Sequence, residues 1–396
     1  MARSSASREA SQSAGVTASG AISGETLSTR ALNRATLARQ HLLERAEHDA
    51  ERMVARLVGL QSQLPSPPYI GVWTRSTDFK LDELTRLLFD RVIVRSTMMR
   101  YTQHLIGAQD YLWLRPTLQP MLDRAQQSFF GRHTKDMDIA ELANYGRDLI
   151  RGRQLTLVEL RKLLAERWPD RNPTALGYSV QYMVPMVHVP PCGTWGKGGA
   201  VTLTLAEDWL GRPLGEPDQA QMVRRYLAAF GPASVKDVQA WSALRGLAGA
   251  VEQLRPRLAV FRDERGEELF DLPDAPRPDP QTPAPPRFLP DYDNLIVAHA
   301  DRSRVITEEQ RKVVSSGVGG KTRTRPGQHG AVAATLLVDG VVRATWKVER
   351  AKKDATLVVE PFSPLSKAEQ AEVAQEGERL LAFAAGDAVG HGVEFI

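Results

Sequence analysis

Three times between Leu32 and Leu272 the sequence passes from apolar residues at helical spacing to a pair of short alternating runs. That recurrence limits the chain to a string of small helix-plus-hairpin units. In the first round Leu32, Leu37, Leu42 and Leu43, then Met53, Val54, Leu57, Val58 and Leu60, recur near the 3.6-residue period. A third helix is expected from Lys80 to Phe89, followed by β-rich runs at Val92–Met99 and Thr102–Ile106. The second round has helical patterns at Ile139–Arg151, Leu157–Arg167 and Pro173–Tyr182, with Thr156 and Glu159 forming a capping box. Strand-like Val184–Val189 and Val201–Leu205 then flank a Gly-rich turn at Gly193–Gly199. The third runs helically through Ala220–Phe230 and Val235–Trp241 to about Leu254, and closes with Arg257–Arg262 and Glu267–Leu272. This is the layout of three tandem winged helix-turn-helix units in an α+β chain, although such units serve protein contacts as well as DNA.

The rest of the chain reads differently. Residues 1–27 are Ser/Ala/Gly/Thr-rich without periodicity and are expected to be a disordered tail. Residues 28–134 then form the first winged unit, 135–212 the second and 213–272 the third. Residues 273–290 hold eight prolines and form an extended linker. Residues 291–396 carry alternating runs at Leu295–Ala298, Ala331–Val338, Val341–Val348 and Ala355–Val359, with Asp339-Gly340 as a hairpin turn and one helix at Lys367–Ala384. The expectation there is a small β-barrel domain.

Composition narrows the chemistry by exclusion. The balance of 51 basic and 47 acidic residues gives a formal charge of +4, which does not by itself indicate nucleic acid. The single cysteine, Cys192, excludes a disulfide framework and a multi-thiolate metal site and reads as intracellular; between Pro191 and Gly193 it is a packed small residue rather than a nucleophile. No apolar run reaches the ~18 residues needed to cross a bilayer. Gly193–Gly199 has a Gly-Lys pair without the Ser or Thr of a phosphate loop and reads as a wing turn. His41 and His48, without an HExxH arrangement, read as solvated surface residues. Asp291, Asp293 and Asn294 lack the rest of a calcium loop and read as turn chemistry.

One segment stands out: Gly59-Leu60-Gln61-Ser62-Gln63-Leu64-Pro65-Ser66-Pro67-Pro68-Tyr69. The prolines hold it extended, and residues two apart in an extended chain share a side, so Gln61 and Gln63 would present two carboxamides together. The plainer reading is a polar helix end with two solvated glutamines. On these residues the sequence resembles the AlkZ-type alkylpurine DNA glycosylases, winged-helix proteins whose catalytic motif is Gln, a small or aliphatic residue, then Gln. Gln61-Ser62-Gln63 matches it, with Ser62 polar where the family prefers an apolar side chain. A second family pattern, Arg-Gly-Thr-aliphatic-His in the first wing, corresponds to Arg100-Tyr101-Thr102-Gln103-His104, with departures at Tyr101 and Gln103. Pro190-Pro191, the run Arg225–Pro232, Arg287-Phe288-Leu289-Pro290 and Val338-Asp339-Gly340 extend the resemblance over roughly 28–396.

The resemblance implies a monofunctional glycosylase that needs no metal or cofactor. It would act as a cytoplasmic monomer on double-stranded DNA carrying nitrogen-7-alkylated purines, extending to interstrand crosslinks and to self-resistance against a DNA-alkylating natural product. An N7-alkylated purine is already cationic, so little acid catalysis is needed. A neutral carboxamide can orient a water and stabilise the developing sugar cation. Gln63 would take that role, with Gln61 positioning the water or contacting the backbone; no lysine adjoins the motif for Schiff-base chemistry. DNA contacts are expected from Arg95, Arg100, Thr102 and His104 on the first wing, and from Lys321, Arg323 and Arg325 in a Gly/Ser-rich stretch. The alternative is a non-catalytic winged-helix regulator, which would have no use for the paired glutamines.

Overall fold

In the computed structural model, which describes residues 24–316 and 332–396, three helices precede a hairpin three times over. The first set is Ala50–Arg56, Pro67–Trp73 and Leu81–Phe89, leading into strands Ile93–Thr97 and Gln103–Gly107. The second is Ile139–Ile150, Leu157–Arg167 and Pro173–Met183, leading into Met186–His188 and Thr202–Leu205. The third is Gln219–Phe230, Val235–Ser242 and Ala248–Leu254, leading into Ala259–Asp263 and Glu268–Asp271. Local chemistry sets several helix starts: Asp49, Asp138, Asn172 and Asp218 accept first-turn N–H groups, and Thr156 and Ser234 form capping boxes with Glu159 and Asp237.

The first two hairpins share one six-stranded antiparallel sheet. Leu60–Gln61 pairs with Gln103–Gly107, which pairs with Ile93–Thr97; Arg95 then meets His188, and Thr202–Leu205 and Leu155–Thr156 complete the order. The third hairpin forms a separate sheet, with Thr26–Leu27 running parallel to Ala259–Asp263. Residues 26–27, expected to end a disordered tail, are therefore ordered; Leu27 and Leu32 pack on Phe261 and Leu269.

The C-terminal region is an open five-stranded sheet, not a barrel. Its order is Arg287–Leu289, Thr335–Val338, Val341–Ala351, Asp354–Pro361, Gly390–Phe395, and the two end strands do not pair. The last strand runs parallel to its neighbour after the Lys367–Ala384 helix, a connection that carries the chain across the sheet face instead of closing it. Leu295–Ala298 is likewise not a strand: Asp293 caps a short helix at Asn294–Val297. Arg287–Leu289 leaves the proline segment to join the sheet, while the carbonyls of Pro276, Pro280 and Thr282 accept from Arg39, Arg30 and Arg34. The proline-rich stretch thus lies extended along the Thr29–Arg39 helix.

Packing ties these parts together. Leu60, Tyr69 and Leu105 share a core with Leu336, Leu357 and Leu380, so the C-terminal sheet backs the Gln61–Gln63 segment. Fully buried Arg39–Asp271 and Arg75–Asp293 pairs join the first helix to the third hairpin and the first unit to the C-terminal region. No helix among the described residues is long and apolar enough to cross a membrane.

Candidate active site

The Gln61–Gln63 segment enters the sheet through a turn that only certain residues tolerate. Gly59 has φ +94°, and a Cβ there would lie 2.9 Å from the Leu105 carbonyl oxygen. Asn294 Nδ2 donates to the Gly59 carbonyl at 2.6 Å and so fastens the bend, while Asp293 accepts from Arg75 at 2.9 Å. Leu60 and Gln61 pair with Leu105 and His104, and Ser62 N–H donates to the Gln103 carbonyl at 2.6 Å.

Extended pairing ends there, and the two glutamines part company. Gln61, buried, accepts through Oε1 from Arg100 Nη2 at 3.0 Å. Gln63, half-buried, accepts through Oε1 from the Gln103 backbone N–H at 2.8 Å. The two amides engage different parts of the same hairpin connection, Gln61 the Arg100 side chain within the turn and Gln63 the backbone of Gln103 where the next strand begins. The prolines do not keep the chain extended: residues 63–66 bend, and Pro67 and Pro68 occupy the first turn of the Pro67–Trp73 helix, where a missing N–H costs nothing.

Gln63 lines a cavity of about 290 Å³ where the first and second units meet. Its walls include Arg95, Tyr101 and Gln103 from the first hairpin, and Phe130, Tyr178, Gln181 and Tyr182 from helices. His188, Cys192 and Gly193 of the second hairpin also contribute. Phe130 and Tyr178 stack at 5.5 Å, and Tyr101 meets Phe129 edge-on at 5.3 Å. Cys192 Sγ lies 3.9 Å from the Gly199 carbonyl. A larger groove of about 570 Å³, beside His41, Arg45 and Arg277, has no Phe, Tyr or Trp in its lining. There His41 and His48 pack edge-on at 5.1 Å rather than standing free in solvent.

The first-wing residues expected to touch DNA are mostly buried instead. Arg95 is 6% exposed; its Nη2 donates to the Ser62 carbonyl at 2.7 Å and Nη1 to His188 Nδ1, and burial lowers its pKa to about 10. Gly193 makes room, since a Cβ there would lie 2.6 Å from Arg95 Cδ. Arg100, in the left-handed region at φ 53°, donates to the Trp241 carbonyl and Gln61, and burial together with Arg302 brings it to about 10. His104, fully buried, has Nδ1 on the Thr102 carbonyl at 3.1 Å and Nε2 3.3 Å from Arg100 Nη2. Burial and the Arg100 charge push it down to about 3, so it is a neutral ring. Thr102 Oγ1 donates to the Met99 carbonyl. Arg95, Thr102 and His104 therefore shape the site from within: guanidiniums and rings spent on protein acceptors are not free to hold phosphate.

Lys321, Arg323 and Arg325 lie outside the described residues. His188, Phe130, Tyr178, Gln181 and Tyr182 were not singled out by sequence, because nothing local distinguishes a pocket aromatic or amide from a core one. Gln103 and Tyr101 did carry a signal, as departures from a motif. No cluster of three His, Cys, Asp or Glu side chains able to hold a metal occurs among the described residues.

Comparison with known proteins gives the arrangement its relatives. The family described as DNA glycosylase AlkZ-like matches residues 54–383. A curated Streptomyces sahachiroi protein, an interstrand DNA cross-link repair glycosylase, is 24% identical over 353 residues, covering 82% of this chain and 88% of its own length. The solved structure of the Streptomyces sahachiroi DNA glycosylase AlkZ superposes with a TM-score of 0.75 at 20% identity, covering 94% of this chain and all of that one, and so shares its mixed α+β fold. The chain belongs to the AlkZ-like family of DNA glycosylases, enzymes that hydrolyse N-glycosidic bonds.

Proposed function

We propose that this chain excises nitrogen-7-alkylated purines from double-stranded DNA by drawing the damaged base into the Gln63 cavity. The observation that carries this is the pinned Gln63 carboxamide at the edge of a cavity walled by aromatic faces and amides. Enzymes that act on a base take it out of the stack into such a pocket. The Gln63 carbonyl has two lone pairs, and the Gln103 N–H uses one. The other faces a water or the sugar carbon as positive charge develops. In cleavage the C1′–N9 bond breaks with its electrons passing to the cationic purine, which leaves neutral; water adds to C1′ and gives its proton to solvent. Gln61 acts one step back, through Arg100 and the hairpin turn. The cavity lining has no lysine, which fits a monofunctional enzyme that leaves an abasic site.

In this reading the three helix-and-hairpin units are tandem winged helices on the DNA, and the protein works as a cytoplasmic monomer. Lys321, Arg323 and Arg325 supply phosphate contacts by charge. Substrates extend to bulky adducts and interstrand crosslinks, in the setting of self-protection from a DNA-alkylating natural product. The test is incubation with duplexes carrying N7-methylguanine or a bulkier N7 adduct in EDTA, followed by hot alkali. Strand breaks at the lesion only after alkali are expected. Their absence with every adduct would refute the proposal, and breaks before alkali would refute its monofunctional chemistry.

A further inference from the structure

Two buried polar atoms on residues that line the Gln63 cavity have no hydrogen-bond partner among the described residues: Gln103 Oε1 and His188 Nε2. Folded chains rarely leave such groups unpaired, and at a binding site an orphan atom marks where a ligand atom belongs. The character of each is fixed by its surroundings. His188 Nδ1 faces Arg95 Nη1, and a guanidinium only donates; Nδ1 is thus the acceptor and the ring proton sits on Nε2. Arg95 behind the ring also polarises that N–H, making it the stronger donor. Gln103 uses its side-chain Nε2 on Thr97 Oγ1 at 2.9 Å, which leaves Oε1 as an acceptor. The wall therefore holds one donor and one acceptor, both closed to solvent in this state, on residues that line the cavity together with Tyr178 and Tyr182.

Building on the base-excision reading of this cavity, we infer that His188 and Gln103 are its specificity-determining residues and read the polar edge of the extruded purine. His188 Nε2–H donates to an acceptor on the base, and Gln103 Oε1 accepts from an adjacent N–H. Guanine presents a carbonyl oxygen beside N1–H, and adenine presents N1 beside its amino group. Alkylation at nitrogen-7 leaves both edges intact. The His188 contact strengthens as the bond's electrons pass to the leaving base, so it contributes to the rate as well as to selection. Gln103 stands where the family pattern has an aliphatic residue, so this half of the pair is a feature of this chain.

The experiment is single-turnover excision of N7-methylguanine, N7-methyladenine and N7-methylpurine without exocyclic groups, by the wild type, His188→Ala and Gln103→Leu. Each variant should lose roughly 10- to 100-fold on a methylated purine with a polar edge, the loss expected for one strong hydrogen bond. The bare purine keeps N1 as an acceptor but offers no N–H on that edge, so the Gln103→Leu loss on it should be at least roughly tenfold smaller, and the His188→Ala loss should be smaller there when guanine is the base read. The base showing the loss, guanine or adenine, is the one that is read. Gln103→Glu, which keeps an acceptor, should retain activity on it. If His188→Ala melts out, Gln103→Leu and Gln103→Glu decide, because the backbone pairing at 103 does not use the side chain. Equal losses on all three bases, or none on any, would overturn the inference while leaving base excision standing. A wild type that excises no alkylpurine would overturn both.

Discussion

Gln63, the residue proposed to meet the sugar, is left few choices by its neighbours. The Gln103 N–H holds its carbonyl, Arg95 holds Ser62 on one side, and Arg100 holds Gln61 on the other. Such support requires neutral rings among buried guanidiniums. His104 is held down to about 3, and His188 well below 6.5, each chiefly by burial. The sign of the pH effect follows. Above about pH 6.5 these rings are neutral in both folded and unfolded chains. Below it the unfolded chain takes up protons that the folded one refuses, so stability falls with pH until the folded values are reached. Each ring contributes about 1.4 kcal/mol per pH unit across that window. Urea denaturation from pH 7 to 5 should show this decline, and His104→Gln should shallow it by about one proton. A slope unchanged in that variant would mean His104 is charged in the folded protein.

At the scale of elements, the hairpins and the Lys367–Ala384 helix were legible because alternation and 3.6 periodicity are local signals. The Ala108–Thr117 and Gln119–Phe130 helices are not marked in the sequence: Pro116 lies inside the first, near its end, and Pro120 in the first turn of the second, and a proline reads locally as a break in either place. Pro67 and Pro68 misled in the other direction, since the same rigidity suits an extended strand or a helix's first turn. The glutamine motif was legible as residues but not as geometry, because where Gln61 and Gln63 point depends on Arg100 and Gln103, about forty positions away. Asp291, Asp293 and Asn294 read as turn chemistry, and Asn294 proves to fasten the turn before the motif. That turn is itself testable. Gly59→Ala forces a side chain into φ +94° and against the Leu105 carbonyl, and should cost about 1–3 kcal/mol of stability in urea denaturation. An unaltered midpoint would show that the bend relaxes freely.

Across the whole molecule, the cavity exists because two separate hairpins meet edge to edge at Arg95 and His188. Neither unit alone encloses it: Gln63 and Gln103 come from the first, Tyr178, Tyr182 and His188 from the second. The buried Arg75–Asp293 pair and the shared core then fix the C-terminal sheet behind the motif. The central claim is that this junction cleaves a glycosidic bond through Gln63. It is tested most directly by single-turnover excision of an N7-alkylated purine by the wild type and Gln63→Ala, with DNA affinity measured alongside. The account predicts a fall of roughly 10²-fold in the cleavage rate, the low end for losing a positioned electrostatic group, with affinity nearly unchanged. Gln63→Ala cleaving at the wild-type rate would contradict it and place the catalytic centre elsewhere.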